Sequence, residues 1–117
     1  MEPDRLFAAL AHPLRLRMLL LLLAEGELCV CELTHAMGAA QPMVSRHLAQ
    51  MREVGLVQDR RAGLWIHYRL HPDLPQWARD ALAAVADGLG RSEPHRSDRA
   101  ALATMGNRPE GRAACCS

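Results

Sequence analysis

Residues 30–55 read VCELTHAMGAAQPMVSRHLAQMREVG, and this stretch decides the fold. Apolar residues recur at helical spacing until Gly38, and Pro42 suits the first turn of a second helix that Gly55 is placed to end. Two helices joined by a short glycine-containing turn, the second of them polar on its outer side, are typical of a helix-turn-helix.

The flanking sequence predicts the elements that complete such a domain. Helices are predicted over 4–11, 13–25 and 75–89 from apolar residues at helical spacing. Alternating strands are predicted over 56–61 and 65–70, and the short connection between them indicates a hairpin. The predicted fold class is therefore mainly α with a β-hairpin wing, a winged helix-turn-helix.

The composition changes after Gly90 to arginine, serine, proline, glycine and asparagine. We predict a DNA-binding and dimerisation domain over 1–90 and a mostly flexible tail over 91–117 that carries Cys115 and Cys116. One short helix near 98–105 is compatible with the sequence of this tail.

Length and composition limit the cellular compartments in which the chain is expected. The 117 residues allow one domain with a tail, no secretory signal is visible, and the apolar run 18–24 is shorter than the roughly 20 residues that span a bilayer. We therefore expect a cytoplasmic protein with no membrane partner, where thiols stay reduced. The four cysteines then indicate metal binding or redox chemistry rather than disulfides.

Charge and side-chain chemistry point to double-stranded DNA. Between residues 41 and 70, five arginines stand against two acidic residues, a local balance of +3. The second helix offers base-edge donors and acceptors near its start, and the hairpin offers arginines that we place at its tip, for phosphates or a minor groove. The candidate DNA contacts are Gln41, Ser45, Arg46, His47, Arg60 and Arg61. A solvated helix face with an arginine-rich turn is the alternative, which the order of helix, turn, helix and basic hairpin disfavours.

Helix-turn-helix proteins usually bind their operators as two-fold dimers. The first and last predicted helices carry apolar stripes wider than one small core requires, so they are the candidates for a homodimer interface. Packing within a monomer is the alternative.

Cys29 and Cys31 lie at the predicted start of the first helix of the pair. Residues two apart on a regular helix point roughly 200° apart, so either Cys29 precedes the first turn or a ligand that needs both sulfurs unwinds it. A helix N-terminus lowers a thiol pKa, which favours soft metal ions. Such a ligand would strain the helix pair and release DNA; the alternative is that both cysteines are core residues.

Five motifs follow one another along the chain: LAHPLRL (10–16), ELCVCEL (27–33), QPMVSRHL (41–48), GLV (55–57) and WIHYRL (65–70). Together they resemble the ArsR/SmtB family of metal-sensing repressors, in particular its arsenical-resistance repressors. The resemblance covers residues 4–89 and implies a homodimeric winged helix-turn-helix that stays on operator DNA until As(III) or Sb(III) binds. It also implies that Cys29 and Cys31 are ligands, that the last helix helps to form the dimer, and that no organic cofactor takes part.

The chain departs from that arsenic-binding pattern at Thr34, where these repressors commonly have a third cysteine. Either Cys115 or Cys116 supplies the third sulfur, or two sulfurs and another group hold the ion. Four sulfurs would also suit Cd(II) or Zn(II). The last helix offers Asp80 and Asp87 but no histidine, which excludes the zinc-sensing site of the family.

Two alternatives to an arsenite-released repressor remain. A repressor of the same fold that responds to Cd(II), Pb(II) or thiol oxidation uses the same cysteines. A thiol enzyme is disfavoured because the spacing is Cys-x-Cys rather than Cys-x-x-Cys, so we predict that the chain is not an enzyme.

Overall fold

The structure is a computed structural model that describes residues 1–106, in which six helices and three strands form. The predicted helix pair and the predicted hairpin are both present, so the winged helix-turn-helix is confirmed. The elements are α1 (Pro3–Leu10), α2 (Pro13–Glu25), β1 (Glu27–Cys29), α3 (Val30–Met37), α4 (Gln41–Glu53), β2 (Val57–Ala62), β3 (Trp65–Leu70), α5 (Gln76–Leu89) and α6 (His95–Ala103).

The central element is α2, whose residues from Met18 to Leu22 are all buried. A helix that is apolar on every side needs neighbours on every side, and α2 packs against α1, α5, α6 and the sheet. Within residues 1–106 no single helix is long and apolar enough to cross a membrane; α1 and α2 pass that test only as a pair bent by 104°.

The α3–α4 pair is fixed by a glycine turn and by a shared apolar face. Gly38 ends α3 in the left-handed conformation, with φ of 62°, which glycine adopts without steric cost. Val44, Leu48 and Met51, spaced to lie on one side of α4, are buried in the core. The opposite side of α4 is left to solvent.

The sheet has three antiparallel strands in the order β1-β3-β2, one more than the sequence predicted. In β1, Leu28 pairs with Tyr68 and Cys29 pairs with His67. Three residues are too few to show alternation, and β1 is extended because β3 supplies its hydrogen-bonding partner. This unpredicted strand places Cys29 between the wing and α3.

The folded part of the chain continues past residue 90, where we predicted the tail to begin. Residues 95–103 form α6, which packs on α2 and α3 and buries Leu102. Arg17 of α2 donates two hydrogen bonds to the Asp98 carboxylate, at 2.9 and 2.7 Å. This ion pair is between residues far apart in the chain, so the local composition that suggested a tail did not reveal it. Cys115 and Cys116 lie outside the described residues.

Candidate functional site

The sulfur atoms of Cys29 and Cys31 lie 3.2 Å apart. Cys29 is the last residue of β1 and the N-cap of α3, with an extended backbone, while Cys31 lies in the first helical turn. Of the two arrangements left open by the sequence, Cys29 therefore precedes the first turn. Two sulfurs at this distance lie within reach of one ion.

Glu32 holds this junction together through a reciprocal pair of hydrogen bonds. Its buried carboxylate accepts the Cys29 backbone N–H at 2.9 Å, and the Cys29 side chain accepts the Glu32 backbone N–H. This is a capping box with sulfur in place of a hydroxyl. The role of Glu32 was not predicted from the sequence, although the spacing Cys-x-x-Glu matches the Ser/Thr-x-x-Glu signal of such a box. The Cys29 sulfur thus has a structural role in α3.

Burial raises the pKa of the Cys29 thiol, and the neighbouring Glu32 carboxylate acts in the same direction. The expectation that the helix N-terminus lowers this pKa is therefore wrong. The N–H of Glu32 does favour the thiolate, but the loss of solvent around a buried sulfur outweighs it. The Cys29 sulfur carries its proton at neutral pH in the absence of a ligand.

An open cleft of about 570 Å³ lies beside Cys31. Thr34, one turn further along α3, lines it and donates its hydroxyl to the Cys31 carbonyl at 2.9 Å. Met105 and Gly106, where the described chain ends, line the opposite side. Residues 1–106 contain no group of three His, Cys, Asp or Glu side chains arranged to hold a metal ion, so the described residues supply two sulfurs and no third donor of these types.

Of the α4 residues predicted to contact DNA, only some have side chains that are accessible to solvent. Gln41 and Arg46 are exposed and Ser45 is half-buried, so the structure leaves them accessible. His47, in contrast, is only 9% exposed and its Nδ1 accepts a hydrogen bond from Arg15 Nε at 3.1 Å. Burial lowers the pKa of His47, and its ring lies 4.3 Å from that of His12. His47 therefore joins α4 to α2, and its prediction as a DNA contact is corrected.

The arginines of the wing are not at its tip. Ala62 pairs with Trp65, which leaves Gly63 and Leu64 as the tip, while Arg60 and Arg61 lie within β2. Arg60 Nε donates to Glu27 Oε2 at 3.1 Å, and this contact lowers the pKa of Glu27. Arg61 is exposed one residue nearer the tip. The two arginines are corrected to positions along one edge strand of the sheet.

Comparison with known proteins agrees with this architecture. Residues 12–59 match the model for the arsR family of bacterial regulatory proteins. The chain is 50% identical over 115 residues to the arsenic resistance transcriptional regulator ArsR1 of Pseudomonas putida, an alignment that covers 98% of this chain and 88% of that protein. It is 48% identical over 94 residues to the arsenical resistance operon repressor of Escherichia coli, covering 80% and 77% of the two chains.

Solved structures show the same fold. The antimony-specific transcriptional repressor AntR superposes with a TM-score of 0.64 at 30% identity, covering 77% of this chain and 78% of that one. The homodimeric winged helix-turn-helix domain of Mycobacterium bovis Mb0332 gives 0.61 at 30% identity, covering 79% and 82%. The chain therefore belongs to the arsR family of bacterial regulatory proteins, which are DNA-binding transcriptional regulators and not enzymes.

Proposed function

We propose that the chain is a cytoplasmic repressor that binds double-stranded operator DNA as a homodimer and leaves it when As(III) or Sb(III) binds. The ligand sulfurs are those of Cys29 and Cys31, with a third from Cys115 or Cys116, and no organic cofactor takes part. The observation that carries this proposal is the 3.2 Å separation of the first two sulfurs at the start of the helix-turn-helix.

That separation is close to the distance that two sulfur ligands keep on one soft ion, pyramidal or tetrahedral. Sulfur ligands bind soft ions at about 2.3 Å, so two bonds at a right angle separate the sulfurs by about 3.3 Å and two tetrahedral bonds by about 3.8 Å. Trivalent arsenic keeps a lone pair, and its three bonds lie near right angles. The relatives favour the trivalent ion, since two are named for arsenic resistance and one for antimony.

The cleft beside Cys31 lies within reach of a third sulfur from residues 115 and 116. Gly106 lines the cleft beside Cys31, and Cys115 follows nine residues later. Nine extended residues span about 30 Å, several times the width of such a cleft. Thr34 offers no sulfur, and its hydroxyl already bonds the Cys31 carbonyl.

Ligand binding can act on DNA affinity through Cys29, because this residue belongs to two elements at once. Its backbone pairs with His67 of β3, in the wing, and its sulfur caps α3. Drawing the sulfur toward an ion competes with the cap, and an N-cap is worth about 1 kcal/mol. This weakens the junction at Cys29 that joins the wing to the helix pair.

The DNA-contacting side chains in this proposal are Gln41, Ser45 and Arg46 at the start of α4, with Arg60 and Arg61 on the wing. The dimer interface is assigned to α1 and α5, which expose Phe7 and Trp77.

The test is fluorescence anisotropy of labelled promoter DNA with the reduced protein, titrated with arsenite and with antimonite. We expect release from the wild type, and no release from Cys29→Ser, because serine keeps an N-cap acceptor but removes the sulfur. Alanine at the same position controls for loss of the cap. DNA binding that neither metalloid alters would contradict the proposal, and release by Cd(II), Pb(II) or peroxide alone would favour the alternative repressor.

A further inference from the structure

Large apolar side chains that remain exposed in residues 1–106 fall on two parts of the molecule. Three lie on α1 and α5, the helices proposed for the dimer interface. Two lie on the α4 start and the wing tip, which are not part of that interface. The first group is Phe7 on α1 with Trp77 and Leu89 on α5, and the second is Met43 on α4 with Leu64 on the wing tip.

Met43 is at the third position of α4 and is 46% exposed. Its neighbour one turn along the helix is the exposed Arg46. Side chains in the first turn of a recognition helix are those that reach base edges. An apolar side chain there has one partner in the major groove, the C5-methyl group of thymine.

Leu64 is 93% exposed and occupies the tip of the hairpin. Its side chain and Gln41, the first residue of α4, line one shallow groove of about 140 Å³. The wing tip therefore lies beside the reading end of α4, with Arg61 exposed next to it on β2. An apolar tip flanked by a cation fits a minor groove, where several DNA-binding proteins place apolar side chains beside arginine.

We propose that Met43 and Leu64 determine sequence preference as a pair, Met43 by contacting a thymine methyl in the major groove and Leu64 by packing into the neighbouring minor groove. The inference rests on the proposed function, since it requires operator DNA. The occupant is DNA rather than a second copy of the chain because both side chains adjoin exposed arginines. Isolated exposed apolar residues are common on protein surfaces. Here one lies in the first turn of α4 and the other on the wing tip beside it.

The first test measures affinity for the chain's own promoter duplex between 50 and 200 mM salt. Apolar contacts release no counterions, so Met43→Ala and Leu64→Ala should weaken binding by about fivefold to tenfold at every salt concentration. Their slopes of log affinity against log salt should equal that of the wild type. The matched control, Arg61→Ala, should instead reduce the slope by about 0.9. All three side chains are exposed, so the variants should unfold at the same temperature as the wild type. Equal unfolding temperatures verify that each variant is folded.

The second test replaces the thymines of the duplex by uracil, one symmetric pair of positions at a time, and each replacement removes one methyl group per base. Wild-type protein should lose about threefold in affinity at one symmetric pair of positions, and Met43→Ala should lose nothing further there. Alanine variants that bind within twofold of wild type, or that change the salt slope, would overturn this inference alone. Wild-type protein that does not bind the duplex at all would instead overturn the proposed function.

Discussion

At the scale of single residues, Thr34 leaves the start of α3 with two sulfurs, that of its N-cap Cys29 and that of Cys31. It lies one turn from Cys31, on the same side of the helix and on the same cleft. We predict that Cys115→Ser/Cys116→Ser raises the arsenite concentration needed for DNA release by about tenfold or more, since even outer-shell partners of metal ligands have that effect. Adding Thr34→Cys to this variant should restore release.

Thr34→Ser is the matched control for that rescue, because it keeps the hydroxyl and adds no sulfur. In the same anisotropy titration it should leave the raised arsenite requirement of the tail variant unchanged. A tail variant that responds like wild type would show that the third sulfur is not needed from residues 115 and 116.

The raised pKa of Cys29 predicts different pH profiles for different inducers. Because the pKa lies above its usual value, the thiol is protonated across pH 6 to 8, and a divalent cation must displace that proton. Cd(II) affinity should therefore rise with pH, about tenfold per unit for each proton released. Arsenous acid condenses with three thiols to release three waters and no net proton, so its affinity should vary little. Competition titrations at pH 6, 7 and 8 measure both affinities. An arsenite affinity that rises with pH as steeply as the Cd(II) affinity would contradict this chemistry.

Residue chemistry was predictable from the sequence only where it depends on neighbours in the chain. The pair Cys29 and Cys31 was identified from its spacing, and that choice stays a prediction until a ligand is observed. The direction of the Cys29 pKa was wrong because burial depends on how β1 and α3 pack. His47 was misassigned because Arg15, its partner, is 32 residues away.

At the scale of elements, α6 is predicted to be an integral part of the domain. A chain ending at residue 90 loses the buried Leu102 and the Arg17–Asp98 ion pair, and its free energy of unfolding should fall by about 3 kcal/mol or more. A chain ending at residue 106, which keeps α6, should unfold at a higher urea concentration than the chain ending at residue 90. Equal midpoints for both truncations would contradict the structural role of α6.

The elements that the sequence predicted are those with local start and stop signals. Pro13, Gly38 and Pro42 mark helix boundaries, and the observed bounds of α2, α3 and α4 agree with them within one residue. By contrast, β1 was not predicted, because it depends on pairing with β3. The short helix expected near 98–105 was assigned to the tail rather than to the domain, because its docking depends on contacts with α2 and α3. Tertiary contacts of this kind leave no periodic pattern in so few residues.

At the scale of the whole molecule, the exposed apolar side chains of α1 and α5 predict dimerisation. Trp77→Glu places a charge in that surface and should give a monomer by sedimentation. Loss of the second half-site should weaken operator binding by about a hundredfold. The control is Leu64→Glu on the wing tip, which should stay dimeric. Trp77→Glu protein that sediments as a dimer would contradict the assignment of this interface.

The most direct test of the switch is X-ray absorption at the arsenic edge on the reduced protein with one equivalent of arsenite. The close pair of sulfurs at Cys29 and Cys31, completed by the C-terminal segment, predicts three sulfurs per arsenic at about 2.3 Å in the wild type. It predicts two sulfurs and one oxygen in Cys115→Ser/Cys116→Ser. Fewer than two sulfurs in the wild type, or an unchanged spectrum for Cys29→Ser, would contradict it.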